Sequence, residues 1–322
     1  MTNEEVLQCA RDYIKDYNTK HGGKGGLASL CTLTKISDAI LSPLLKGTYK
    51  GNVQTQIDSL EEYFTVKSEH KATYQKVKYA PTSTSKLVYN TIRGCHIRGG
   101  FAIITGDSGV GKTKAAMKYV ADNPESAVMI TVNPACKSTK SVLKELTKAL
   151  GIAYQRSVDD TWYAVASKLH DGMVIVADEA QLLTFHGIEV LRSFSDYFDN
   201  RDQTLGIALI GNDGIRERIE GKSHEMYRQI NNRAWHRPQI YTKDLKLSDV
   251  AMIFPQFEPD SPEIKFLWKL SHGEEGLRGA VTICSLAYEA IKDSNETCDI
   301  KWLAAVAKET SVSLKGVNLS DL

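Results

Sequence analysis

Gly106-Asp107-Ser108-Gly109-Val110-Gly111-Lys112-Thr113 is the stretch whose reading decides the fold. Its spacing is G-x-x-x-x-G-K-T. Immediately before it, Phe101-Ala102-Ile103-Ile104-Thr105 is a short apolar run of the kind that forms a buried strand. Behind it, Ala115, Ala116, Tyr119 and Val120 recur at helical spacing. Strand, loop and helix therefore follow one another. Glycines let such a loop curl so that several backbone N–H groups face inward, where an anion is held. The positive end of the following helix favours the same charge. In this motif the lysine reaches the β- and γ-phosphates and the hydroxyl is placed to ligate Mg²⁺. Residues Gly106, Asp107, Ser108, Gly109, Val110, Gly111, Lys112 and Thr113 are thus the expected ATP-binding loop, with Thr113 also a metal ligand.

Outward from the loop, apolar runs at 127–132, 173–177 and 205–210 alternate with helical stretches. That alternation predicts an α/β core with a largely parallel sheet flanked by helices. The run Met173-Val174-Ile175-Val176-Ala177 ends in Asp178-Glu179. Ligands of open α/β sheets sit at the carboxyl ends of the strands, so Asp178 is expected to hold the Mg²⁺ shell. Glu179 is then placed to deprotonate a water for attack on the γ-phosphate. A further run, Gly206-Ile207-Ala208-Leu209-Ile210, ends in Gly211-Asn212, and Asn212 is expected to help position that water. Polar residues at strand ends are commonly turn formers, so the weight lies on the order of these segments rather than on Asn212 alone.

The chain of 322 residues is long enough for two or three domains, and at 42% hydrophobic and 25% charged it has a globular composition. No apolar stretch approaches the roughly 18 residues that span a bilayer, so no membrane role is expected. The polar, acidic start Met1-Thr2-Asn3-Glu4-Glu5 is unlike a signal peptide. Six cysteines without a C-x-x-C pair argue against a structural zinc site and fit a cytoplasmic protein. A net charge of +1 neither favours nor excludes nucleic acid, which would have to be met by local clusters.

Residues 1–66 read as helical. Thr2-x-x-Glu5 is a capping-box pattern, followed by Val6, Leu7, Ala10, Tyr13, Ile14 and Tyr17 on one face. Glycines at 22, 23, 25 and 26 break that helix. The apolar stretches Leu27–Leu33 and Ser37–Lys46, joined by a tight turn, fit either a helix-turn-helix or a plain helical bundle. Pro43 counts against a regular recognition helix. Residues 67–84 are polar and read as a linker, 85–243 as the α/β core, and 244–322 as a C-terminal helical lid.

The series of phosphate loop, Asp178-Glu179 and strand-end Asn212 resembles the AAA+ ATPases over roughly residues 85–320. The resemblance implies a second sensor arginine at Arg278, in Gly276-Leu277-Arg278, and a finger arginine given to the neighbouring subunit's nucleotide. Arg228 and Arg233 are the candidates for the finger, with Arg237 in the same stretch. The chain is similar in more detail to the family of the bacteriophage Mu B transposition proteins. That similarity rests on Gly-Val-Gly-Lys-Thr at 109–113, Ile130-Thr131-Val132-Asn133-Pro134-Ala135-Cys136, Asp178-Glu179-Ala180, Gly211-Asn212 and Tyr49-Lys50-Gly51-Asn52. It favours a helix-turn-helix at the N-terminus. It further implies a homo-oligomeric filament on double-stranded DNA of any sequence, with a transposase as partner and ATP hydrolysis dismantling the filament. A DNA-facing loop is then expected at Lys137, Thr139 and Lys140, with Lys144 and Lys148 continuing along the next helix, where a solvated face is the plain alternative. Two other readings stay open: an ATPase driving a secretion or signalling assembly, since Asp178-Glu179-Ala180-Gln181 occurs widely, and a sequence-specific DNA-binding regulator.

Overall fold

The computed structural model describes residues 2–20, 22–73, 79–221, 224–292 and 296–310, and the chain forms two compact units, Met1–Lys76 and Val77–Leu322. The first is four helices, Asn3–Lys20, Gly26–Thr34, Asp38–Leu45 and Val53–Thr73. The expected capping box is formed: Thr2 N donates to Glu5 Oε2 at 2.7 Å and Glu5 N to Thr2 Oγ1 at 3.3 Å. Val6, Ala10, Leu30, Leu41, Ile57 and Leu60 meet in one apolar core. The second and third helices are joined by Lys35, Ile36 and Ser37, with Lys35 in the left-handed region at φ 58° and Ile36 buried. The third helix runs through Pro43 without ending there.

The linker expectation is corrected. The fourth helix continues to Thr73, through the first seven residues of the stretch assigned to the linker. Polarity misled here: residues 67–73 contain no glycine or proline and include Lys, Glu and Ala, which favour helix whatever their hydropathy. At its other end the linker shortens too, because Thr82 caps the helix Ser83–Arg98 by accepting from Ser85 N. Of the residues between, 74–78 lie outside the described residues, as do 311–322 of the expected lid.

The second unit is built on a parallel sheet of β1 (Gly100–Gly106), β2 (Ala127–Thr131), β3 (Met173–Asp178), β4 (Leu205–Ile210), β5 (Ala234–His236) and β6 (Gln239–Ile240). The order is β2-β3-β4-β1-β5, with β6 also paired to β1. Alternate residues face opposite layers of helices: Phe101, Ile103, Ile175, Ile207 and Leu209 on one side, Ala102, Ile104, Val174, Val176 and Ile210 on the other. Burial on both faces is why these strands read as continuous apolar runs. The pairings Ile104 with Ile210 and Ala177 with Leu209 bring the carboxyl ends of β1, β3 and β4 to one edge. Strands β5 and β6 were not anticipated; they are three and two residues long, and Arg237-Pro238 interrupts them.

Four helices, Leu247–Ile253, Pro262–Ser271, Gly276–Ala290 and Ile300–Glu309, gather around a separate apolar cluster that includes Val250, Phe266, Leu267, Ile283 and Leu303. Buried Asp249 ties this group to the core helix, accepting from Ser83 N and Ser83 Oγ at 2.6 Å each. Among the described residues no helix is long and apolar enough to cross a membrane.

Candidate nucleotide site

The loop 106–111 leaves the end of β1 and delivers the chain into the helix Lys112–Asp122, with Gly111 left-handed at its cap. Gly106 sits at φ 142°, and a Cβ there would lie 1.8 Å from the Ile240 carbonyl oxygen of β6. Only glycine lets the loop begin so close to that strand. Lys112 Nζ donates to the Gly106 and Asp107 carbonyls at 2.8 and 2.7 Å, folded back over its own loop. Burial holds the Lys112 amine below its ordinary pKa, and the nearby carboxylates of Asp178, Glu179, Asp107 and Asp213 pull the other way. Asp213 Oδ1 is itself buried and has no hydrogen-bond partner among the described residues. A polyanion on the loop would give the ammonium a stronger partner than two carbonyls.

Thr113 Oγ1 donates to Asp178 Oδ2 at 2.8 Å, joining the loop to the end of β3. Asp178 is only 3% exposed. Burial raises its carboxyl pKa, and the bonds from Thr113 and the Glu179 backbone oppose that rise. Two hard oxygen donors side by side suit a small divalent cation. The sign of the shift has a consequence for stability. A carboxyl whose folded pKa lies above its unfolded value binds more protons when folded, so it weakens the fold at neutral pH and less so as pH falls through the folded value. Asp178→Asn, which keeps the acceptor for Thr113, is therefore expected to raise the melting temperature at pH 7. Each ~1 kcal/mol gained corresponds to roughly 2–4 °C for a unit of this size, and the gain should shrink at acid pH. Calorimetry at pH 7 and pH 5 checks it; an unchanged or lower melting temperature at pH 7 contradicts the assignment.

Glu179 follows directly but is exposed, because its backbone is left-handed at φ 55° and reverses the chain into a short 3₁₀ turn, Ala180–Leu182. A non-glycine residue held in that region is a mark of local constraint. Asn212 lies at the end of β4; its Oδ1 caps the next helix by accepting from Gly214 N at 3.0 Å, which leaves Nδ2 as the donor the side chain can offer. Arg278 is exposed in the first turn of Gly276–Ala290. That helix start abuts the loop: Leu277 N donates to the Gly109 carbonyl at 3.1 Å. Arg228 and Arg233 lie elsewhere. Phe101 is in register with Ala234, so Arg233 stands beside the start of β1, where it pairs with Asp196. The six residues from there to the loop span roughly 20 Å. Arg228 is exposed on the helix His224–Arg233, and Arg237 pairs with Glu220. The structure thus brings together the loop, Asp178, Glu179, Asn212 and the helix bearing Arg278, and sets Arg233 apart.

Lys137 and Lys140 are exposed, and Thr139 is half-buried with its hydroxyl donating to the His186 carbonyl. The Lys137 carbonyl accepts from both Thr184 N and Thr184 Oγ1 at 3.0 Å, stitching this loop to the segment after β3. Lys140, Lys144 and Lys148 form one exposed row on the helix Thr139–Ala149, opposite buried Val142, Leu143 and Leu146. Two ties at the site were not foreseen. Asp107, expected only as part of the loop, accepts from Thr242 N and Thr242 Oγ1 at 2.8 and 3.1 Å, anchoring the loop to the connection that leads into the C-terminal helices. The other is the bond of Asp249 to Ser83. With partners 135 and 166 residues apart, neither had a local signal.

Comparison with known proteins agrees with this geometry. The AAA domain family matches residues 96–219. The Mu-like prophage FluMu DNA transposition protein B of Haemophilus influenzae is 28% identical over 258 residues, covering 78% of this chain and 87% of that one. The ATP-dependent target DNA activator B of Escherichia phage Mu is 26% identical over 248 residues, covering 76% and 77%. Among solved structures, Cdc6p from Pyrobaculum aerophilum superposes with a TM-score of 0.55 at 16% identity, covering 78% of this chain and 74% of that one. The fold is therefore the AAA+ fold. Residues 96–219 thus match an AAA domain, and the chain is similar to the B proteins over about three quarters of its length, in line with the sequence resemblance.

Proposed function

We propose that this chain is an ATP-dependent, DNA-binding AAA+ ATPase that assembles on duplex DNA, marks it as a transposition target and stimulates a transposase. The observation that carries the reading is the similarity to a DNA transposition protein B and to an ATP-dependent target DNA activator B, each over about three quarters of the chain. In this reading the loop 106–113 holds the triphosphate, and Thr113 and Asp178 hold Mg²⁺, whose chemistry there is to neutralise charge on the β- and γ-phosphate oxygens. Glu179 takes the proton of the attacking water, Asn212 Nδ2 orients that water, and Arg278 approaches the γ-phosphate from the helix that abuts the loop. DNA is gripped through its phosphates by Lys137, Thr139 and Lys140, so sequence matters little. The N-terminal unit acts as a helix-turn-helix module.

Arg233 supports assembly by its distance. Standing roughly 20 Å along β1 from its own loop, it serves a nucleotide only if that nucleotide belongs to a neighbouring copy. An Arg233→Ala chain is accordingly expected to bind ATP but to lose hydrolysis by roughly 10³-fold, the usual worth of a finger arginine. Mixed with Lys112→Ala chains, which keep Arg233, it should recover part of the activity. No recovery at any mixing ratio, with Arg228→Ala recovering instead, would move the role to Arg228.

The test of the whole reading is ATP-dependent binding to duplex DNA of arbitrary sequence at low salt, followed by electron microscopy. Extended coverage that weakens steeply with salt is the expected result. Protection of a single operator favours the sequence-specific regulator, and absence of ATP-promoted binding sinks the DNA role altogether.

A further inference from the structure

The short turn after β3 holds one polar side chain that the nucleotide chemistry has not used. Gln181 lies in the 3₁₀ turn Ala180–Leu182, two residues beyond Glu179. Its Nε2 donates to Glu179 Oε2, and its Oε1 accepts from Asn212 N at 3.2 Å. One carboxamide therefore spans the ends of β3 and β4, touching both the candidate base and the backbone of the candidate water-orienting residue. The contact depends on glycine next door. A Cβ at Gly211 would stand 2.3 Å from Gln181 Oε1, so a larger residue at 211 would displace the bridge. The turn is fixed on its other side as well, where Leu182 N and Leu183 N donate to the carbonyls of Glu179 and Ala180, and Arg218 Nη1 donates to the Leu183 carbonyl at 2.8 Å.

We infer that Gln181 is a positioning residue for ATP hydrolysis: its carboxamide fixes the Glu179 carboxylate relative to Asn212, so that one water meets both. The inference rests on the reading of Glu179 as the base. An exposed carboxylate on a free side chain samples several rotamers, and binding one oxygen to a fixed donor selects among them. Glu179 Oε2 is engaged by Gln181, and Oε1 is the oxygen left for the water's proton. The amide suits the task because it donates to the carboxylate with one end and accepts a backbone N–H with the other. A glutamate at 181 keeps the length and the acceptor but replaces the donor with a second negative charge. A methionine keeps the length and loses both bonds.

The experiment is steady-state ATP hydrolysis by the full chain with duplex DNA present, for wild type, Gln181→Met and Gln181→Glu, with binding of a fluorescent ATP analogue and the melting temperature measured in parallel. For Gln181→Met, kcat is expected to fall by roughly 10- to 100-fold, as for a misplaced catalytic group, with KM and analogue binding within twofold of wild type. For Gln181→Glu, which keeps the acceptor for Asn212 N and loses the donor to Glu179, kcat also falls, by at least roughly tenfold. A role confined to stability would lower the melting temperature and leave kcat per folded molecule in place. The inference is overturned if Gln181→Met retains kcat within twofold, if its loss appears as weakened nucleotide binding, or if Gln181→Glu retains the kcat of wild type. Failure of the wild type itself to hydrolyse ATP would instead overturn the reading of the site.

Discussion

Replacing Glu179 by Gln is expected, on the proposed reading, to lower ATP turnover by roughly 10²- to 10⁴-fold, the range for removal of a general base, and to leave ATP binding and DNA coverage intact. The reason lies in what the substitution keeps. The side chain has the same length, and the left-handed backbone at φ 55° that exposes it is set by the turn Ala180–Leu182, not by the carboxylate. Its amide oxygen still accepts from Gln181, and Lys112 still faces Asp178, Asp107 and Asp213. Only the capacity to take a proton is lost. Phosphate release under single-turnover conditions measures the chemistry, and pelleting with duplex DNA measures assembly. Filaments of Glu179→Gln should therefore outlast those of wild type in ATP. Loss of ATP binding in this variant would show that Glu179 holds the nucleotide rather than attacks it through water.

Much of this site was legible in the sequence because its signals are local. The run 101–105 is uniformly apolar since β1 is buried on both faces, and the loop that follows it states its own chemistry in eight residues. The sequence put Asp178 and Glu179 at a strand end, and the structure has them there, one buried and the other exposed. What was not legible depends on distant partners or on brevity. Strand β6 has two residues, yet it crowds Gly106 and so shapes the loop. Asp107 looked like an unremarkable loop position, and its bond to Thr242 becomes apparent only when the chain folds back over 135 residues. The overextended linker failed for a different reason. A polar composition is shared by coil and by helix, and residues 67–73 belong to a helix.

On the proposed reading, replacing Lys112 by Ala should abolish assembly on DNA, because the nucleotide that would trigger it no longer binds. The ammonium makes two charge-assisted bonds to the Gly106 and Asp107 carbonyls, and it would exchange them for phosphate oxygens when a triphosphate arrives. A charge-assisted hydrogen bond contributes about 1.5–3 kcal/mol, so losing even one to the phosphates weakens ATP binding by roughly 10- to 100-fold. The site's own charge adds to this. Asp178, Glu179, Asp107 and Asp213 all act on Lys112, and without its charge an incoming polyanion meets those carboxylates directly. Folding should survive, because Lys112 is half-buried at the surface end of the sheet and the strands pair without it. Affinity for a fluorescent ATP analogue, circular dichroism and DNA pelleting together separate these effects. The variant should remain folded, lose nucleotide and fail to pellet with DNA at any ATP concentration that saturates wild type. Glu179→Gln should pellet under the same conditions. The contrast between the two is the decisive measurement, because an ATPase whose nucleotide only fuels movement would show the same DNA binding in both. An assembly switch requires that binding and hydrolysis be separable, with Lys112 controlling the first and Glu179 the second.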